Sequence, residues 1–72
     1  MATVTTSCVG QIGETAGAVW HTLDQSGGMS LTKLIKSVEA PRDVVLQAIG
    51  WLAREEKLEI EETSRGRIIS LR

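Results

Sequence analysis

Near residue 57 the apolar residues change period, and this change constrains the fold more than any other feature of the chain. From Val44 to Ala53 they crowd around a helix, whereas Leu58 and Ile60 alternate with Glu59 and Glu61. The first spacing belongs to an α-helix and the second to a half-buried strand. The segment "ETSRG" then supplies a turn, with Gly66 free to take a positive φ, and "RIISLR" adds a second run rich in β-branched residues. The chain is expected to end as a helix followed by a β-hairpin.

Upstream, Ile12, Ala16, Val19, Trp20 and Leu23 fall on one helical face, predicting a helix from about residue 10 to about residue 25. "QSGG" stops it, with Gly27 or Gly28 suited to the left-handed position after a helix. Met29 and Ser30 form a minimal extended segment, and Ser30 is also a good N-cap. Leu31, Leu34, Ile35 and Val38 keep helical spacing in a second helix, with Lys33 and Lys36 on its wet side. The residue before a proline avoids the helical region, while proline suits a first helical turn. "EAP" therefore ends the second helix near Val38, and a third is predicted from Pro41 to about Lys57. Residues 1–9, rich in Thr and Ser, are expected to be a flexible tail, leaving residues 10–72 as the domain. Helix, minimal strand, helix, helix, hairpin is the order of a winged helix-turn-helix, an α+β fold that is mainly α.

Seventy-two residues make one domain. A chain this short buries only about 60% of the surface it exposes when unfolded, so disulfides, metals or partner subunits commonly supplement the core. One cysteine, Cys8, and one histidine, His21, supply neither an internal disulfide nor four zinc ligands. No metal or cofactor is expected, and self-association into a homodimer is the remaining supplement. The lone cysteine and the lack of a signal-like or membrane-length apolar run point to the cytoplasm.

The third helix carries more apolar surface than one contact needs. At about 100° per residue its apolar arc covers roughly 220°. Val45, Ala48, Ile49 and Leu52 form the stripe expected to meet the other helices, Val44 and Trp51 lie on one flank, and Leu46 and Ala53 lie on the other. Two buried surfaces are expected, one of them facing a partner. Gly50 shares a narrow polar stripe with Asp43, Gln47 and Arg54, where a bare backbone allows close approach. Ile68 and Ile69 point to opposite faces of their strand, so one of them faces away from the core. Val44, Leu46, Gly50, Trp51, Ala53 and Ile68 are the interface candidates, and Trp51 is read as core or interface.

"IGETAGAVWHTLDQSGGMSLTKL" followed by "AIGWLAREEKLEI" resembles a family of small bacterial winged helix-turn-helix proteins whose function is not assigned, with "GWLAREEK" the most specific part. The resemblance implies the fold and brings no activity with it.

Nucleic-acid binding is the leading functional reading. The second helix of a helix-turn-helix enters the major groove, where Gln reads adenine and Arg reads guanine. Arg42, Gln47 and Arg54 on the third helix, Arg65 and Arg67 on the wing, and Lys33 and Lys36 on the second helix are the candidates, with double-stranded DNA as the partner. Opposing this, the net charge is −1, Asp43 shares the reading stripe, and five glutamates lie between Glu55 and Glu62. In the opposing reading the wing arginines pair with Glu59, Glu61 or Glu62 across the hairpin and only solvate the sheet. The alternative is a protein-interaction module, a homodimer without DNA binding. Enzymatic activity is not expected: His21 has no nucleophile or orienting acid at motif spacing, Cys8 has no basic neighbour, and "GGMS" lacks the lysine of a phosphate cradle.

Overall fold

The computed structural model describes residues 8–72, ordered α1 (Cys8–Ser26), β1 (Met29–Ser30), α2 (Leu31–Ser37), α3 (Arg42–Arg54), β2 (Leu58–Thr63) and β3 (Gly66–Leu71). The element order is the one read from the sequence. Cys8 and Val9, expected in the tail, instead form the first residues of α1, and the rest of that tail lies outside the described residues.

Each boundary has a local cause. Gly27 ends α1 with φ 82°, its N–H donating to the Leu23 carbonyl at 2.8 Å. This is the left-handed cap that a residue without Cβ adopts at least cost. Ser30 caps α2, its Oγ accepting from the Lys33 N–H at 3.2 Å. Pro41 stands just before α3, and its carbonyl accepts the first helical bond, from the Val45 N–H at 3.0 Å.

α3 stops at Arg54, three residues short of the expected end. The Glu56 N–H donates to Ala53 at 3.0 Å and the Lys57 N–H donates to Leu52 at 2.9 Å, with Glu56 at φ 61°. That pair of bonds is a Schellman closure, built on a glutamate where glycine is usual. No glycine marks the stop, so the residue pattern carries no signal for it.

The sheet is antiparallel in the order β1-β3-β2. Ile69 in the central strand lies opposite Met29 on one side and Ile60 on the other. A two-residue turn, Ser64 and Arg65, joins β2 to β3. There the Thr63 hydroxyl donates to the Gly66 carbonyl at 2.9 Å and accepts from the Arg65 N–H at 3.2 Å. Gly66 takes φ 136°, so the expected positive angle is met.

The core joins Ala16, Val19 and Leu23 of α1, Leu34 of α2, the four-residue stripe of α3, and Met29, Leu58 and Ile69 of the sheet. Gly28 approaches β3 closely: a Cβ added there would sit 3.2 Å from the Ser70 Cβ. Within the chain α3 buries the stripe expected to meet the other helices. Val45, Ala48, Ile49 and Leu52 are buried, spanning about 100° of the wheel, while Val44 and Ala53 are half-buried. Trp51 is 51% exposed, so it is not core. It lies about 100° around the helix from Leu52, beyond the arc that reaches α1. Trp20, placed with the inner face of α1, likewise lies on a flank and is 39% exposed. Among the described residues no helix is long and apolar enough to cross a membrane.

Candidate functional site

Helical spacing places Asp43, Gln47, Gly50 and Arg54 opposite the buried stripe of α3, and all four are exposed. Asp43 sits in the first turn, where the helix dipole favours a negative charge, and its carboxylate accepts from the Val44 N–H at 2.9 Å. Asp43 thus has a local role in starting α3. Among the described residues a Cβ at Gly50 would meet nothing within 4 Å, which leaves a notch of bare backbone in the middle of the stripe.

The hairpin stands beside one flank of α3. Leu46 and Gly50 of α3, Ile60 of β2 and Arg67 of β3 line one groove, whose floor includes Ile49 and Ile69. Leu46 and Ile60 remain 37% and 45% exposed, so the wing only partly covers this flank. Strand alternation divides the glutamates. Leu58, Ile60 and Glu62 share the groove face of β2, whereas Glu59 and Glu61 point to the outer face with Ile68 and Ser70. Of the run from Glu55 to Glu62, Glu62 is therefore the strand glutamate that faces Arg67. The two are register partners and lie 4.0 Å apart, both largely exposed, a pair worth about 0–1 kcal/mol. Arg72 pairs with Glu56 at 3.3 Å. Among the described residues Lys33, Lys36, Arg42, Arg54 and Arg65 form no ion pair, and all are exposed.

A second hollow, about 490 Å³, runs between the start of α2 and the wing, lined by Ser30, Thr32, Arg65, Arg67 and Ile68 among others. Thr32 was not singled out from the sequence, and Ser30 was read as a short extended residue and helix cap, not as a site residue. Their place beside the wing follows from the pairing of Ser30 with Ile68, which only the sheet creates.

The interface candidates do not share one surface. Leu46 and Gly50 line the α3–wing groove, Ile68 lies on the outer face of β3, and Trp51 opens onto a groove between α3 and α1. That last groove contains Gly13, Gly17 and Trp20, none of which the sequence reading marked as a site. Their signal was the helical spacing 13, 17, 20 on the α1 side facing Trp51.

The chain is 38% identical over 66 residues to the uncharacterized protein MJ1608 of Methanocaldococcus jannaschii, covering 88% of this chain and 93% of that one. The fold is similar to the solution NMR structure of protein BT2368 from Bacteroides thetaiotaomicron, with TM-score 0.75 and 36% identity, covering 85% of this chain and 74% of that one. A family model described as a winged helix-turn-helix domain (DUF2582) matches residues 8–71, and the chain belongs to that family.

Proposed function

We propose that the domain binds double-stranded nucleic acid, with α3 as the reading helix and the β2–β3 hairpin as the wing. The observation that carries this reading is the groove shared by Gly50 and Arg67, beside an α3 stripe that exposes Gln47 and Arg54. A side chain that donates to guanine and one that pairs with adenine lie on one face, two helical turns apart. Gly50 between them lets a groove wall approach the backbone. Lys33, Lys36, Arg42, Arg54, Arg65 and Arg67 supply phosphate contacts, and the outward turn of Glu59 and Glu61 removes two opposing charges from the groove face. The net charge of −1 makes the binding weak and strongly salt-dependent. With six cations at most engaged, the slope of log affinity against log salt has a magnitude no greater than about 5.

The test is fluorescence anisotropy of a labelled mixed-sequence duplex, titrated with protein at low salt. Arg54→Ala and Arg67→Ala are each expected to weaken binding. Glu62→Gln, which frees Arg67, is expected to strengthen it. An anisotropy that stays flat for the wild type at the lowest salt removes the proposal.

A further inference from the structure

We propose that the face between α1 and α3 is the contact between two copies of this chain, related by a twofold axis. This proposal is independent of nucleic-acid binding, which uses the opposite flank of α3.

Gly13, Gly17 and Trp20 of α1 and Trp51 of α3 line a groove of about 300 Å³, with Lys57 on its rim. Trp20 and Trp51 are 39% and 51% exposed, and Val9, one turn before Gly13 on the same stripe, is 72% exposed. These two indoles are the only large aromatic side chains, since the chain has no Phe and no Tyr. A solvent-facing flank of a chain so poor in aromatic residues does not otherwise need either of them.

Two observations select a second copy as the occupant. The first is charge. Asp24 continues the stripe one turn beyond Trp20, and Lys57 borders the groove. Both are exposed, and neither forms an ion pair among the described residues. A twofold that sets Lys57 of one copy against Asp24 of the other makes the same pair twice, the self-complementarity that an isologous dimer requires. The second is area and shape. The half-exposed indoles offer about 200 Å² per copy, about a quarter of a standard interface of roughly 800 Å² per partner. The rest must come from the residues that flank the groove on α1 and α3, which Gly13 and Gly17 let a partner approach closely: among the described residues a Cβ at either would meet nothing within 4 Å. An interface of this size belongs at the weak end, with dissociation in the micromolar range or above.

The experiment follows the full chain by sedimentation equilibrium and intrinsic tryptophan emission from about 10 μM to about 1 mM, a span that brackets weak association. The apparent mass is expected to rise from 7.8 kDa toward twice that value, and the emission to shift to the blue as water leaves the indoles. Gly17→Arg adds a side chain into open space, so its helical circular dichroism should be retained while it stays at monomer mass throughout. Asp24→Lys and Lys57→Glu should each weaken association by about tenfold through like-charge contact. An equimolar mixture of the two should restore it, because both cross pairs then have opposite signs. A wild-type chain that stays monomeric at the highest concentration overturns the proposal and leaves the face to a different protein. So does a dimer that Gly17→Arg leaves intact, or a charge-variant mixture that associates no better than its components.

Discussion

Trp20 and Trp51, thirty-one positions apart in the sequence, line the same groove although neither belongs to the core. Truncating Trp51 therefore removes about half the buried area that a core tryptophan would lose. Trp51→Ala is expected to cost about 1–2 kcal/mol of folding stability, below the 3–5 kcal/mol of a fully buried ring. Urea unfolding at low micromolar concentration measures this, and a loss above that range would place the indole in the core after all.

The two adjacent isoleucines of β3 separate the faces of the sheet. Ile69 is 1% exposed, whereas Ile68 lies on the outer face. Ile69→Val should destabilise the fold by about 1 kcal/mol and Ile68→Val by less than about 0.5 kcal/mol. Equal losses in paired thermal melts would contradict the register.

Glu56 holds a left-handed conformation that costs a residue with a Cβ about 1 kcal/mol. Glu56→Gly should relieve it and stabilise the domain by about 0.5–1 kcal/mol, even with the exposed Arg72 pair lost. A lower melting temperature in the variant would mean that the ion pair outweighs the strain.

Gly50 and Gly28 should respond to alanine in opposite directions. At Gly50 the new methyl enters open space within a helix and should stabilise by about 1 kcal/mol. At Gly28 it would sit 3.2 Å from the Ser70 Cβ and 3.4 Å from the Ile69 carbonyl oxygen, so the β1–β3 approach must loosen, at a cost of about 1–3 kcal/mol. Chemical denaturation of both variants reads the difference. If the Gly50 notch receives a groove wall, the stabilised Gly50→Ala protein should also bind duplex more weakly than the wild type.

Asp43 combines a structural benefit with an electrostatic cost. Asp43→Asn should lose about 0.3–1 kcal/mol of stability as the first-turn charge of α3 disappears. The same change should strengthen duplex binding by removing a repulsive charge from the reading stripe. Stability and anisotropy measured on one preparation test both halves, and a variant unchanged in either would refute that half.

Local spacing determined a large part of this protein. The three helical stripes, the Ser30 cap, the glycine stop at residue 27 and the switch to alternation at Leu58 depend on residues close in sequence, so periodicity reveals them. The buried stripe of α3 was legible for the same reason. Tertiary structure decided what lies beside that stripe. A wheel shows that Leu46 and Trp51 leave opposite sides of α3, but only the packing puts Ile60 and Arg67 beside the first and Trp20 with Gly17 beside the second. The sheet register likewise turned Glu59 and Glu61 away from the groove while keeping Glu62 opposite Arg67. The end of α3 escaped notice because its closing bonds are made by the backbone of Glu56 and Lys57, and main-chain geometry carries no side-chain signature when glycine is absent. Contacts between residues distant in sequence depend on how whole elements pack, and one element's pattern does not specify the neighbour on each of its flanks.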